Sequence, residues 1–165
     1  MVREMKPEDR TRVLEIYSSG IATRNATFET EVPAWEEWDS RHHLHSRYVY
    51  EEIGGVRGWI ALSPVSARKA YSGVAEVSIY IYPSSTGHGI GSQLMQKVIE
   101  SSEEQGIWTL FSSIFPENTA TLRLHEKFDF RIIGRRERIA QLDGKWRDTI
   151  LLERRSKSTG IIDGF

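Results

Sequence analysis

The stretch Ser84-Ser85-Thr86-Gly87-His88-Gly89-Ile90-Gly91-Ser92-Gln93-Leu94 decides how this chain is read, because the hydrophobic pattern changes period across it. Before it, Val74 to Ile81 is rich in β-branched and aromatic residues and reads as a strand, ended by Pro83. After it, Ile90, Leu94, Val98 and Ile99 recur at helical spacing. A strand thus hands over to a helix through a loop in which Gly87, Gly89 and Gly91 alternate with other residues. Free backbone N–H groups at such a helix start, added to the positive end of the helix dipole, suit phosphate oxygens. The loop therefore predicts an anionic ligand. No Gly-Lys-Ser/Thr follows it, and Gly-x-Gly-x-Gly is not the dinucleotide spacing, so ATP and NAD both lose support.

Working outward, Gly106 ends this helix, Trp108 to Phe115 reads as a buried strand, and Asn118 to Lys127 as a short helix. Two strands follow, Ile132 to Leu142 and Lys145 to Leu152, joined by the hairpin signal Asp143-Gly144, and the tail from about Arg154 is expected to be loosely held. Upstream, Tyr48 to Tyr50 and Val56 to Leu62 flank Gly54-Gly55 and predict a second hairpin. A helix is expected from Pro7, with Val13, Leu14, Tyr17 and Ile21 on its apolar face, and another from Pro33 to about Leu44. Antiparallel hairpins at both ends with β-α units between them predict an α/β fold. Its mixed sheet should have six or seven strands, with about four helices on the faces.

With 165 residues, 39% of them hydrophobic, the chain should form a single domain over 1–165. A formal charge of -1 supplies no field to attract nucleic acid or an anionic membrane. The absence of cysteine removes disulfides, thiolate metal sites and any cysteine nucleophile. His42, His43 and His45 lack a further ligand at matching spacing, so no metal is expected. The charged start and the lack of a long apolar run predict a cytoplasmic protein.

The glycine loop resembles the hallmark of the GCN5-related N-acetyltransferases, Gln/Arg-x-x-Gly-x-Gly/Ala, reading here Thr86-Gly87-His88-Gly89-Ile90-Gly91 with Thr86 in place of the basic or amide residue. Four other stretches are similar to the phosphinothricin and methionine sulfoximine acetyltransferases of that family. They are Thr27-Phe28-Glu29, Arg68-Lys69-Ala70-Tyr71 with Ala75 to Ile81, Pro116 to Phe130, and Asp143 to Asp148. In the third, Asp129 stands where the family has glycine, a position Asp tolerates because it visits left-handed backbone.

The resemblance implies transfer of acetyl from acetyl-CoA, as co-substrate, directly to the amine of a small amino-acid analogue such as phosphinothricin, methionine sulfoximine or methionine sulfone. A homodimer is implied too. Acetylation of a protein N-terminus, or a non-catalytic acyl-CoA sensor, are the alternatives. Carried onto this chain, the resemblance makes Glu76 the general base, with Glu29 as second candidate, and each carboxylate is equally suited to holding the substrate ammonium. His125 is either a thiol-proximal catalytic group or a packed side chain, and Asn118 either bonds the pantetheine arm or caps a helix. Cofactor binding falls to Ile79, Tyr80 and Ile81 and to the loop residues Gly87, His88, Gly89, Ile90, Gly91 and Ser92. The guanidinium of Arg68, beside Tyr71, suits a substrate carboxylate, with Phe28, Val77 and Ser78 lining the acceptor side.

Overall fold

The structure, a computed structural model, describes residues 1–160. Seven strands form one sheet: β1 (Val2–Glu4), β2 (Tyr48–Glu52), β3 (Gly55–Pro64), β4 (Val74–Ile81), β5 (Thr109–Ile114), β6 (Arg131–Leu142) and β7 (Lys145–Arg155). Their order is β1-β2-β3-β4-β5-β7-β6, and only β4 and β5 pair in parallel. The helices are α1 (Arg10–Ala22), α2 (Trp35–Arg41), α3 (Ile90–Glu104) and α4 (Thr119–Lys127). This is the expected mixed sheet, at the upper end of the expected strand number. No helix among the described residues is long and apolar enough to cross a membrane.

Alternation along the strands sends neighbouring residues to opposite faces. Ile60 and Leu62 of β3 join Leu94, Met95 and Val98 of α3 in one core, whereas Trp59 and Ala61 join Val13, Ile16 and Tyr17 of α1 and Trp38 of α2 in another. The sheet is thus covered on both sides, and the central strands are apolar in both directions.

Two segments depart from the sequence reading. α2 is shorter than Pro33 to Leu44, because Ala34 before it and His42 after it are extended. The Arg47 guanidinium bonds the carbonyls of Asp39, His42 and His43, turning the chain out of the helix. The tail is also held further than expected. Arg154 lies inside β7 and bonds Glu103 and the Phe128 carbonyl, Ser156 N–H donates to the Trp108 carbonyl at 2.7 Å, and the Ser156 and Ser158 hydroxyls donate to the Glu103 carboxylate. Glu103, at the end of α3, therefore anchors the segment after β7; residues 161–165 lie outside the described residues. Asp129 adopts φ 66°, the left-handed conformation expected of it.

Candidate active site

The pairing of β4 with β5 is brief. It joins Val74 with Thr109, Ala75 with Leu110 and Glu76 with Phe111, and then the strands part. β4 continues to Ile81, still paired with β3 as far as Gly58, so half of its backbone groups beyond Glu76 face an open slot. An unpaired strand edge is a template for an extended ligand with amide groups. The side chains of Ile79 and Ile81 pack against the α3 core, so what these residues present to the slot is backbone.

At one end of the slot lies the glycine loop. Gly87 and Gly89 have φ of 81° and 76°, with nothing within 4 Å of where a Cβ would stand, so the loop is open and its shape, not crowding, demands glycine. The first backbone bond of α3 runs from Gln93 N–H to the Gly89 carbonyl, which leaves the N–H groups of Ile90, Gly91 and Ser92 free. His88 is exposed and the Ile90 side chain buried, so Ile90 contributes through its backbone.

At the other end is a cavity of about 400 Å³. Glu76, Val77, Ser78, Ile79 and Tyr80 of β4 form one wall, Ser112 to Ile114 of β5 with Phe115 just after it another, and Tyr17, Trp38, Arg41, His42 and the loop residues Thr27, Phe28 and Glu29 close it. Glu76 sits on the last rung before the strands part. It is half-buried, and among the described residues its carboxylate has no hydrogen-bond or ion-pair partner. Burial pushes its pKa above the ordinary carboxylate value.

Loop 24–29 is held from two sides. Arg147 of β7 donates to the Arg24 carbonyl and the Asn25 side chain, both at 2.8 Å, and Asn118 Nδ2 donates to the Asn25 carbonyl at 3.3 Å. Phe28 packs edge-on against Phe115 with centroids 4.8 Å apart. Glu29 is exposed and stands 3.9 Å from the Arg41 guanidinium.

Asn118 caps α4, accepting from the Thr121 N–H at 3.4 Å, and also lines the cavity, so capping leaves it at the site. Of the remaining candidates, His125 lines the cavity and Arg68 does not. His125 is buried with both ring nitrogens engaged: Nδ1 donates to the Thr121 carbonyl at 2.7 Å and Nε2 accepts from the Ser112 hydroxyl at 2.8 Å, the tautomer following from these partners. Burial lowers its pKa, against the opposing effect of the Thr121 carbonyl, so it ties α4 to β5 as a neutral side chain at the cavity wall. Arg68 is absent from the cavity wall and lies 5.6 Å above the Tyr71 ring, while Tyr71 faces a separate groove with Val65 and Trp108. The loop between β3 and β4 carries both of them away from Glu76.

Arg41, His42 and Tyr17 are cavity residues that the sequence reading missed. In the sequence Arg41 is one charged residue at the end of a short helix, and only the fold of α2 across the sheet brings it beside Glu29. Burial and the nearby Glu29 carboxylate raise the Tyr17 phenol, so it stays protonated at neutral pH.

The family model for acetyltransferases of the GNAT family matches residues 11–130. The chain belongs to the GNAT acetyltransferase family. The Bacillus subtilis (strain 168) protein YwnH, provisionally named a phosphinothricin acetyltransferase, is 38% identical over 93% of this chain and 97% of its own. The L-methionine sulfoximine/L-methionine sulfone acetyltransferase of Pseudomonas aeruginosa is 26% identical over 92% of each chain. Among solved structures, a GNAT superfamily phosphinothricin acetyltransferase from Sinorhizobium meliloti in complex with acetyl-CoA superposes with TM-score 0.88 at 25% identity, covering 99% of this chain and 94% of the other. The fold described above is thus shared with a GNAT acetyltransferase whose structure holds acetyl-CoA.

Proposed function

We propose that this GNAT protein is a cytoplasmic N-acetyltransferase that moves acetyl from acetyl-CoA to the α-amine of a small amino-acid analogue of the phosphinothricin or methionine sulfone kind. The observation that carries the reading is Glu76, an unpartnered, half-buried carboxylate where β4 and β5 part, opening on a cavity that also holds Glu29 and Arg41. The slot suits the co-substrate: free N–H groups at the start of α3 for its phosphates, the open edge of β4 for its amide arm, and Asn118 beside it. When bound, acetyl-CoA supplies an acetyl group activated as a thioester.

The chain's own residues then have the following roles. Glu29 and Glu76 hold the substrate ammonium, and Glu76, directly or through one water, takes a proton from an amine whose pKa is about 9 to 10. Arg41 receives the substrate carboxylate, taking the role that the sequence gave to Arg68. Phe28 and Ser78 shape the acceptor wall, and Tyr17 and Tyr80 present neutral phenols. With no cysteine in the chain, direct attack by the freed amine is the simplest course.

The test follows thiol release from acetyl-CoA with phosphinothricin, methionine sulfoximine, methionine sulfone, free amino acids, their methyl esters and short peptides. Release with the amino-acid analogues, falling at least tenfold for their esters, is expected. Turnover of peptides alone would establish N-terminal acetylation instead, and tight acetyl-CoA binding without any release would leave a sensor.

We also propose that the active form is a homodimer. β6 is a long edge strand exposing Ile132, Ile133 and Ile139, next to an exposed Trp146 on β7, and such an edge favours pairing. Sedimentation velocity should give twice the chain mass, and Ile139→Lys should shift the boundary to the monomer; a wild-type monomer at micromolar concentration would discard this part.

A further inference from the structure

The loop that faces the co-substrate phosphates carries no fixed positive charge of its own. Residues 83–96 contain neither Lys nor Arg, and Thr86 offers only a hydroxyl, already donated to the Pro83 carbonyl at 3.0 Å. The three free N–H groups of Ile90, Gly91 and Ser92, with the helix dipole, amount to about half a charge, against a pyrophosphate carrying two.

A cation does reach the site, from another helix. Gly91 has no side chain, and a Cβ there would stand 3.1 Å from Leu124 Cδ2 and 3.2 Å from Ile81 Cδ1. This close approach brings α4 against the first turn of α3. One turn beyond Leu124, the exposed Lys127 donates from Nζ to the Ser92 hydroxyl at 2.9 Å. Among the described residues, Lys127 has no carboxylate partner. Its charge is therefore held at the opening of α3 by a neutral hydroxyl, an arrangement that leaves it free to turn to a stronger acceptor. Arg123, exposed and four residues earlier on the same helix face, extends the positive surface.

We propose that Lys127 is the residue that neutralises the pyrophosphate of acetyl-CoA in this protein, exchanging its bond to Ser92 for phosphate oxygens. The inference rests on the functional reading above and concerns co-substrate affinity, not the chemical step. It makes the α3–α4 contact at Gly91 part of the binding site, since any displacement of α4 moves the charge.

Calorimetric titration of acetyl-CoA into wild type, Lys127→Gln, and Lys127→Gln with Thr86→Arg separates the outcomes. Removing a charge-assisted hydrogen bond should weaken binding about tenfold in Lys127→Gln. Its melting temperature should be unchanged, because the side chain altered is exposed. Thr86→Arg, which returns a cation to the loop, should recover most of the loss. Equal affinity of wild type and Lys127→Gln overturns the assignment while leaving the acetyltransferase reading intact. Weakened binding accompanied by a lower melting temperature, and not recovered by Thr86→Arg, overturns it in favour of a structural role. A wild type that does not bind acetyl-CoA removes the functional reading itself, and this inference with it.

Discussion

Glu76→Gln is expected to lower kcat by about two to four orders of magnitude at neutral pH while leaving acetyl-CoA affinity within about twofold, since a general base contributes on that scale to the step it serves. The wild-type rate should rise with pH along a carboxylate titration displaced upward, because burial raises the Glu76 pKa, and the variant should lack that limb. The same burial fixes the sign of the stability change. A carboxyl whose pKa is higher in the folded state binds its proton more tightly there, so folding loses stability as pH rises from the unfolded pKa to the folded one. Above that window the charged, unpartnered carboxylate is a standing cost, which Gln lacks. Glu76→Gln should therefore melt no lower than wild type at pH 7. Full activity in a well-folded variant would remove Glu76 from the chemistry and leave Glu29 as the remaining cavity carboxylate.

Trp59→Ala is expected to cost about 3–5 kcal/mol of folding stability, lowering the melting temperature by about 10 °C or more for a chain of this size. Trp59 is fully buried, and its ring lies within 5.9 Å of those of Tyr17, Trp38 and Tyr80, so no neighbour can collapse into the space it would leave. Its indole N–H is unpartnered among the described residues, so truncation forfeits packing and no hydrogen bond. Trp59→Phe should accordingly cost much less. Urea unfolding of the two variants reads this directly, and a cost below about 1 kcal/mol for the alanine would mean that the aromatic cluster contributes little to stability. The floor of the acceptor cavity would loosen too, since Trp59 and Trp38 both line it.

The strands and the two longer helices were legible because each carries a local signal of its own. β4 is legible to the residue, from Val74 to Ile81, because β-branched and aromatic residues fill it and Pro83 closes it. α4 was legible through its capping Asn118. What local pattern cannot carry is the convergence of separate elements. Arg41 enters the cavity because α2 crosses the face of β3, and Arg147 fixes loop 24–29 from more than a hundred residues away. Neither has a sequence signature. The tail failed for a related reason: its anchor, Glu103, belongs to α3, and nothing between Arg154 and Thr159 hints at it. Arg68 shows the opposite error, a residue type suited to a carboxylate but placed by its loop beyond the cavity's reach.

The two cores described above are unequal in reach. The one under α3 and α4 runs through β2, β3, β4, β5 and β7, whereas the one under α1 and α2 draws on β2, β3 and the end of β4 alone. On the proposed reading, the acceptor wall made by Tyr17 and Trp38 thus rests on a local foundation, and the co-substrate slot on a shared one. Under that reading, changes of taste for one amine or another can accumulate around Tyr17 and Trp38 while the acetyl-donor machinery stays undisturbed. A molecule partitioned in this way is free to vary what it modifies without renegotiating how it is fuelled.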